Sequence, residues 1–301
     1  MVYGEVDVGD AGEFMALRPK LFGVAYRMLG SVSDAEDVVQ EAYLRWQQVE
    51  RADVDSPEAF LTTVVVRLSL DELRSARARR ERYVGPWLPE PLVVDDNDPA
   101  VATELADSLS MAFLVLLEAL SPLERAAFLL REVFGYGYDE LAAMLDKDAA
   151  ACRQLVSRAR RHVEARRQRY DADRRTSAEL ARRFVAACLT GDLEPVVGLL
   201  TEDVTLWTDG GGIAKAARRP IVGPAKVARF LLAVAPTLPP SAVTHEALVN
   251  GQPGIVVTDA DAPILAMVVD VLEDRIAAVR VVLNPEKLRA LVPHFNRAAE
   301  G

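Results

Sequence analysis

The stretch ACRQLVSRARRHVEARRQR, residues 151–169, carries the side chains best suited to nucleic-acid chemistry. Between Arg153 and Arg169 it holds seven arginines and one acid, Glu164. Arginine and glutamine can each grip a base edge through two parallel hydrogen bonds, and a guanidinium also matches a phosphate. Arg153, Gln154, Ser157 and Arg158 come early in the run, where base contacts are made, and Arg160 and Arg161 follow, suited to phosphates. The chain as a whole is acidic, with a formal net charge of -10 and a pI near 5.0. A basic run is often only a solvated helix face, so its surroundings must decide.

Those surroundings read as helix, tight turn, helix. YDELAAML puts Leu141, Met144 and Leu145 on one face. DKD supplies the turn: Asp146 takes the left-handed conformation more easily than most residues, and Asp148 caps the next helix. In that helix Cys152, Val156, Ala159 and Val163 recur at i, i+4, i+7 and i+11, a single buried stripe that leaves the arginines in solvent. This is helix-turn-helix spacing, in which the second helix enters the major groove.

Other chemistry is thinner. Asp209 and His245 are of the acid/base types, but no second such pair declares itself. They read better as a turn-starting aspartate and a half-buried strand histidine. Gly210, Gly211 and Gly212 lack the spacing of a phosphate loop and signal a backbone that turns or approaches something closely. Asn284-Pro285 marks a turn and helix start, with Glu286 and Lys287 expected in solvent. The two cysteines, Cys152 and Cys188, cannot build a disulfide framework, and the three histidines lack metal-site spacing. No cofactor and no metal are expected.

The positioning elements follow from periodicity. Residues 10–83 read as helices, with Ser33 and Glu36 as a capping box for DAEDVVQEAYLRW, and Ser56-Pro57 opening the next helix. VGPWLPEPLVVDDNDP has four prolines and reads as a linker, partly extended because residues before proline avoid the α region. Residues 86–107 hold six acids and no Lys or Arg, so charge is segregated along the chain. After about residue 176 come helices (SAELARRFVAACLTG, LEPVVGLL, GPAKVARFLLAVA), then short β-rich runs separated by NGQPG, DADAP and EDR. That pattern predicts an α+β domain with a largely antiparallel sheet. No apolar run reaches the roughly 18–20 residues a bilayer needs, and MVYGEVDVGDAGEF is no signal peptide, so a cytoplasmic protein with no membrane partner is expected.

With the helix-turn-helix placed, a resemblance becomes specific. LFGVAYRMLGSVSDAEDVVQEAYLRW resembles region 2 of bacterial sigma factors of the extracytoplasmic-function group, and LSPLERAAFLLREVFGYGYDELAAMLDKDAAACRQLVSRAR resembles their region 4. WLPEP, DGGG and NPEKL resemble a subgroup with a SnoaL-like C-terminal extension. The resemblance implies two all-α domains followed by an α+β SnoaL-like cone domain. Its bounds are region 2 at 1-83, a linker at 84-104, region 4 at 105-172 and the extension at 176-295.

It also implies partners and roles. Asp34, Glu36, Asp37, Gln40 and Glu41 match the helix that binds the clamp of core RNA polymerase, and an exposed acid-rich helix suits a basic coiled coil. Arg67, Asp71, Arg74, Ser75 and Arg77 fall where the −10 promoter element is read, behind the base-capturing loop RADVDSP. Arg153, Gln154, Ser157, Arg158 and Arg161 match −35 recognition. Trp87, Leu88, Asp209, Gly210, Gly211, Gly212, Asn284, Pro285 and Lys287 form the implied regulatory set between linker and extension. Phe60 stands where many relatives have Trp, and Ile213 where a Lys is expected, with Lys215 two residues on. An alternative sigma factor, regulated in cis and not itself a catalyst, is the expected function. A helix-turn-helix repressor with a ligand-binding domain, and a SnoaL-type enzyme fused to a DNA-binding module, stay open as alternatives, as does an unidentified small ligand in the C-terminal domain.

Overall fold

The computed structural model describes residues 8–50, 54–80, 82–93, 107–166 and 174–296. The chain forms two compact units, Met1–Arg79 with Leu116–Arg166, and Arg80–Val115 with Arg167–Gly301.

The first unit is helical. Helices α1 (Val8–Leu29), α2 (Val32–Trp46) and α3 (Pro57–Arg80) share a core that includes Leu21, Met28, Val39, Trp46 and Leu61. The expected cap shifts from Ser33 to Ser31. Gly30 turns the chain at φ 67, Ser31 is extended, and its Oγ accepts from the Asp34 N–H at 3.1 Å. TTVVV is helical because its buried positions keep the helical period: Thr62, Val65, Val66 and Ser69 face inward. Then come α4 (Met111–Leu117), of which Met111–Val115 belong to the second unit, α5 (Pro122–Phe128), α6 (Tyr138–Leu145) and α7 (Ala149–Arg166). Ser121 and Glu124 form a capping box on α5. Asp146 is left-handed at φ 52, and Asp148 Oδ1 accepts from the Ala151 N–H at 2.7 Å. Cys152, Val156, Ala159 and Val163 are all buried, as the spacing predicts. Arg125 is buried beneath α1, donating to the Arg27 carbonyl at 3.0 and 3.2 Å and pairing with Glu118. That carbonyl lies in the last turn of α1.

The second unit is α+β. Helices α8 (Arg174–Thr190), α9 (Leu193–Gly198) and α10 (Pro224–Val234) accompany strands β1 (Leu200–Asp209), β2 (Ile221–Val222), β3 (Val243–Val249), β4 (Gln252–Asp259), β5 (Ala262–Leu272) and β6 (Arg275–Val282). Short helices α11 (Pro285–Leu288) and α12 (Val292–Asn296) close it. The sheet order is β2-β1-β6-β5-β4-β3, antiparallel except where β1 runs parallel to β6. Strand alternation splits the apolar residues between two faces. Ile255, Val257, Met267, Val269 and Val281 pack with Leu180 and Phe184 of α8 and Val227 of α10. Val256, Ala266, Val268 and Val282 point the other way, and Leu288, Leu291, Leu88 and Met111 cover them. The stretch before α4 thus completes the second face of the sheet. Burying a leucine such as Leu88 contributes about 1.5–3 kcal/mol to that attachment. Two helical parts followed by an α+β extension is the fold class the sequence predicts.

Candidate functional site

The site grows from the end of β1. Asp209 starts the glycine turn, as the sequence reads, and is buried there, whereas Lys287, read as solvent-facing, is corrected: it is buried too. Asp209 Oδ1 accepts from the Tyr83 hydroxyl at 2.6 Å and the Gly211 N–H at 3.1 Å. Its Oδ2 accepts from the Leu88 N–H at 2.8 Å and Lys287 Nζ at 2.7 Å. Lys287 Nζ also donates to the Leu88 carbonyl, and lies 4.3 Å from the Trp87 ring centre and 4.9 Å from that of Tyr83. The Arg80 guanidinium stacks on Trp87 at 3.8 Å. A buried ammonium needs a counter-charge and donors' partners around it, and here a carboxylate, a carbonyl and two ring faces supply them. The lysine goes inward because Asn284 caps α11, accepting from the Glu286 N–H at 3.0 Å, with Pro285 in the first turn.

The same packing accounts for the glycines. A Cβ on Gly210 would stand 2.4 Å from the Ala214 carbonyl oxygen. One on Gly211, which is left-handed at φ 61, would stand 2.3 Å from Asn284 Nδ2. Gly212 lies against Val84. Asn284 Nδ2 donates to the Tyr83 hydroxyl at 2.9 Å, closing the ring of contacts. Burial lowers the Lys287 pKa, with Asp209 opposing the shift. For Tyr83, burial and then the hydrogen bond to Asp209 raise it. The structure thus gathers Trp87, Leu88, Asp209, the three glycines, Asn284 and Lys287 at one place. Tyr83 is the member that sequence reasoning missed: an aromatic at the end of RRERY carries no signal of its partner. Beside this group an open cleft of about 330 Å³ is lined by Val84, Thr208, Lys215 and Arg218 among others. His245 is held elsewhere, 2.9 Å from Thr258 Oγ1 and tilted against Phe295 with ring centres 5.0 Å apart, so it does not meet Asp209.

The helical unit presents three further faces. On α2, Asp37 and Gln40 are exposed, while Asp34, Glu36 and Glu41 are half-buried. Glu36 pairs with Arg18, and Glu41 with Arg45 at 2.9 Å. On α3, Arg67, Asp71, Arg74 and Ser75 are exposed, and Arg74 pairs with Asp71 at 2.7 Å. Arg67 donates to the Met144 and Ala143 carbonyls at 3.4 and 3.3 Å, at the C-terminal end of α6 where a cation is favoured. The Arg77 side chain and residues 51–53 of the RADVDSP loop lie outside the described residues. On α7, Arg153, Gln154, Ser157, Arg158 and Arg161 are all exposed on the face opposite the buried stripe. Arg153 rests over Tyr138 at 5.5 Å, and Arg160 pairs with Glu132 at 2.8 Å. Among the described residues no helix is long and apolar enough to cross a membrane.

Comparison with known proteins agrees with this division. Sigma-70 region 2 matches residues 14–79, and Sigma-70, region 4 matches residues 110–163. The ECF RNA polymerase sigma factor SigJ of Mycobacterium tuberculosis is 42% identical, covering 92% of this chain and 93% of its own. The probable ECF RNA polymerase sigma factor SigI of the same species is 33% identical, with the same coverage of 92% and 93%. The crystal structure of M. tuberculosis SigJ superposes with a TM-score of 0.74 at 38% identity, covering 93% of this chain and 98% of that one. Two sigma-70 regions joined to an α+β extension define an alternative sigma factor, a protein of transcription initiation. The chain belongs to the extracytoplasmic-function sigma factors, in the subgroup with a SnoaL-like C-terminal extension.

Proposed function

We propose that this sigma factor binds core RNA polymerase through the acid face of α2, reads promoter DNA through α3 and α7, and is regulated in cis by its C-terminal domain. The observation that carries the regulatory part is the ring of contacts around Asp209, which ties Tyr83, Trp87 and Leu88 to the extension. Productive binding requires one separation between the two promoter-reading parts. A domain that holds the connecting segment shifts the population of chains able to reach that separation, without touching DNA. The extension acts as a clasp, not a catalyst: both oxygens of Asp209 are taken by structural partners, and His245 is engaged with Thr258. Its place of action is the cytoplasm, with the polymerase.

The test is in vitro transcription with equal amounts of full-length protein, Trp87→Ala protein and a chain ending before residue 174. Trp87→Ala should change transcript yield in the same direction as truncation, by a smaller amount. Truncation also uncovers Leu88 and Met111, so the point variant is the cleaner comparison. Equal yields from all three, with folding checked by circular dichroism, would remove the regulatory reading.

A further inference from the structure

The turn between β3 and β4 takes no part in the Asp209 site, yet it too holds the segment before α4. Asn250 is left-handed at φ 55, ordinary for a hairpin turn. A hairpin does not require that asparagine to be buried, and Asn250 is fully buried. Its N–H donates to the Leu92 carbonyl at 2.7 Å, and its Oδ1 accepts from the Leu92 N–H at 3.2 Å. Its Nδ2 donates to the Leu109 carbonyl at 3.2 Å. Gln252 continues the pattern: Oε1 accepts from the Met111 N–H at 3.2 Å, and Nε2 donates to Asp270 Oδ1 at 3.1 Å. Asp270 in turn forms a buried ion pair with Arg280, which lies over Trp207 at 5.0 Å. Val93 adds a single antiparallel bridge to Val249. One residue thus grips Leu92 and Leu109, the described residues near either end of the acid-rich stretch, and its neighbour grips the first residue of α4.

We propose that Asn250 and Gln252 form a second, separate latch: an intramolecular docking surface that fixes the connecting segment at Leu92, Leu109 and Met111 on the C-terminal sheet. A buried amide bonded to the backbone of a remote segment leaves that segment little freedom to detach, because each bond lost strands a buried polar group. The Asp209 site holds the segment where it leaves region 2. The Asn250 turn holds it where it enters region 4. The C-terminal domain therefore sets the path between the two promoter readers at both ends. This role rests on the sigma-factor reading, whereas the latch itself does not.

Asn250→Gly tests the latch, since glycine keeps the left-handed turn and removes only the side chain. Hydrogen exchange is read at single amides in the full chain, without polymerase or DNA. In Asn250→Gly the Leu92 amide should exchange about 10- to 100-fold faster, the range expected when one buried hydrogen bond is lost. In Gln252→Ala the Met111 amide should do the same. The Leu88 amide should be unchanged in both, and should respond instead to Lys287→Met. Leu92 and Met111 amides that are unprotected in the wild type, or unmoved by both variants, would overturn the proposal. Transcription from promoters whose spacer is one base pair longer or shorter then tests the role. Asn250→Gly should flatten the dependence on spacer length. The wild-type dependence with a released Leu92 amide would overturn the spacing role. A wild type that supports no transcription at all would instead sink the sigma-factor reading and leave the exchange result standing.

Discussion

Lys287 is the residue on which the clasp turns. Its ammonium is buried and meets Asp209, the Leu88 carbonyl and two aromatic rings. Replacing it by methionine keeps the stem and removes the charge, leaving Asp209 buried without its cation. Breaking a buried pair from one side costs about 3–5 kcal/mol. The hydrogen bond retained from Tyr83 places the expected loss at the lower end. Urea denaturation of Lys287→Met measures it, and a loss under about 0.5 kcal/mol, the size of an exposed pair, would contradict the burial argument. Tyr83 gives a pH signature. Its folded pKa is raised above the ordinary 10.0, so the folded state keeps the phenolic proton longer than the unfolded one. The resulting stabilisation is full below pH 10 and fades as the pH climbs through the folded pKa. The stability gap between wild type and Tyr83→Phe should therefore narrow above pH 10, and a gap that widens there would contradict the assignment. The sequence marks Asp209 and Lys287 only as members of DGGG and NPEKL. Their burial was not legible, because it depends on a partner segment more than a hundred residues away, and an Asp beside glycines looks like any turn.

The elements behave as their local chemistry dictates, with exceptions that tertiary packing explains. The α7 stripe and the Asp146 turn were readable because period and turn residues agree. The cap of α2 moved by two residues because Gly30 lets the chain reverse sooner than the Ser33 signal suggests. The β1–β6 parallel pairing was not readable, since strand alternation does not encode partner direction. At the glycine loop, Gly210→Ala drives a Cβ to 2.4 Å from a backbone carbonyl that cannot give way. Gly191→Ala meets nothing within 4 Å and pays only for its φ of 83, roughly 1–2 kcal/mol. Thermal melting should show the first as the larger loss, and the reverse order would mean that the loop is looser than its contacts imply. On α7, Arg153→Ala should relax preference at one −35 position by about 1–3 kcal/mol of discrimination. Arg161→Ala should weaken binding to all sequences and lower the salt dependence. Competition binding over a set of −35 variants separates the two, and identical profiles would erase the division between base and phosphate readers.

At the scale of the whole molecule, the fold class was legible because helical periods run through most of the chain and give way to strand runs separated by turn residues in its last part. How the connecting segment is held was not. VGPWLPEPLVV reads as a linker by its prolines, and the resemblance implies Trp87 and Leu88 as contacts to the extension, but neither signals that Leu88 and the later Met111 are core residues of the second unit. A segment rich in proline spends few N–H groups on its own structure, so its few remaining amides, such as those of Leu88 and Leu92, are available to another domain. In the proposed regulation, this attachment sets the output of a sigma factor without altering its fit to the polymerase. The measurement that tests this most directly is run-off transcription by core polymerase saturated with full-length wild type or with full-length Lys287→Met. The account predicts equal affinity for core and a transcript yield per bound polymerase that differs between the two. Equal yields at equal occupancy, from a variant whose Leu88 amide is shown to be released, would contradict it.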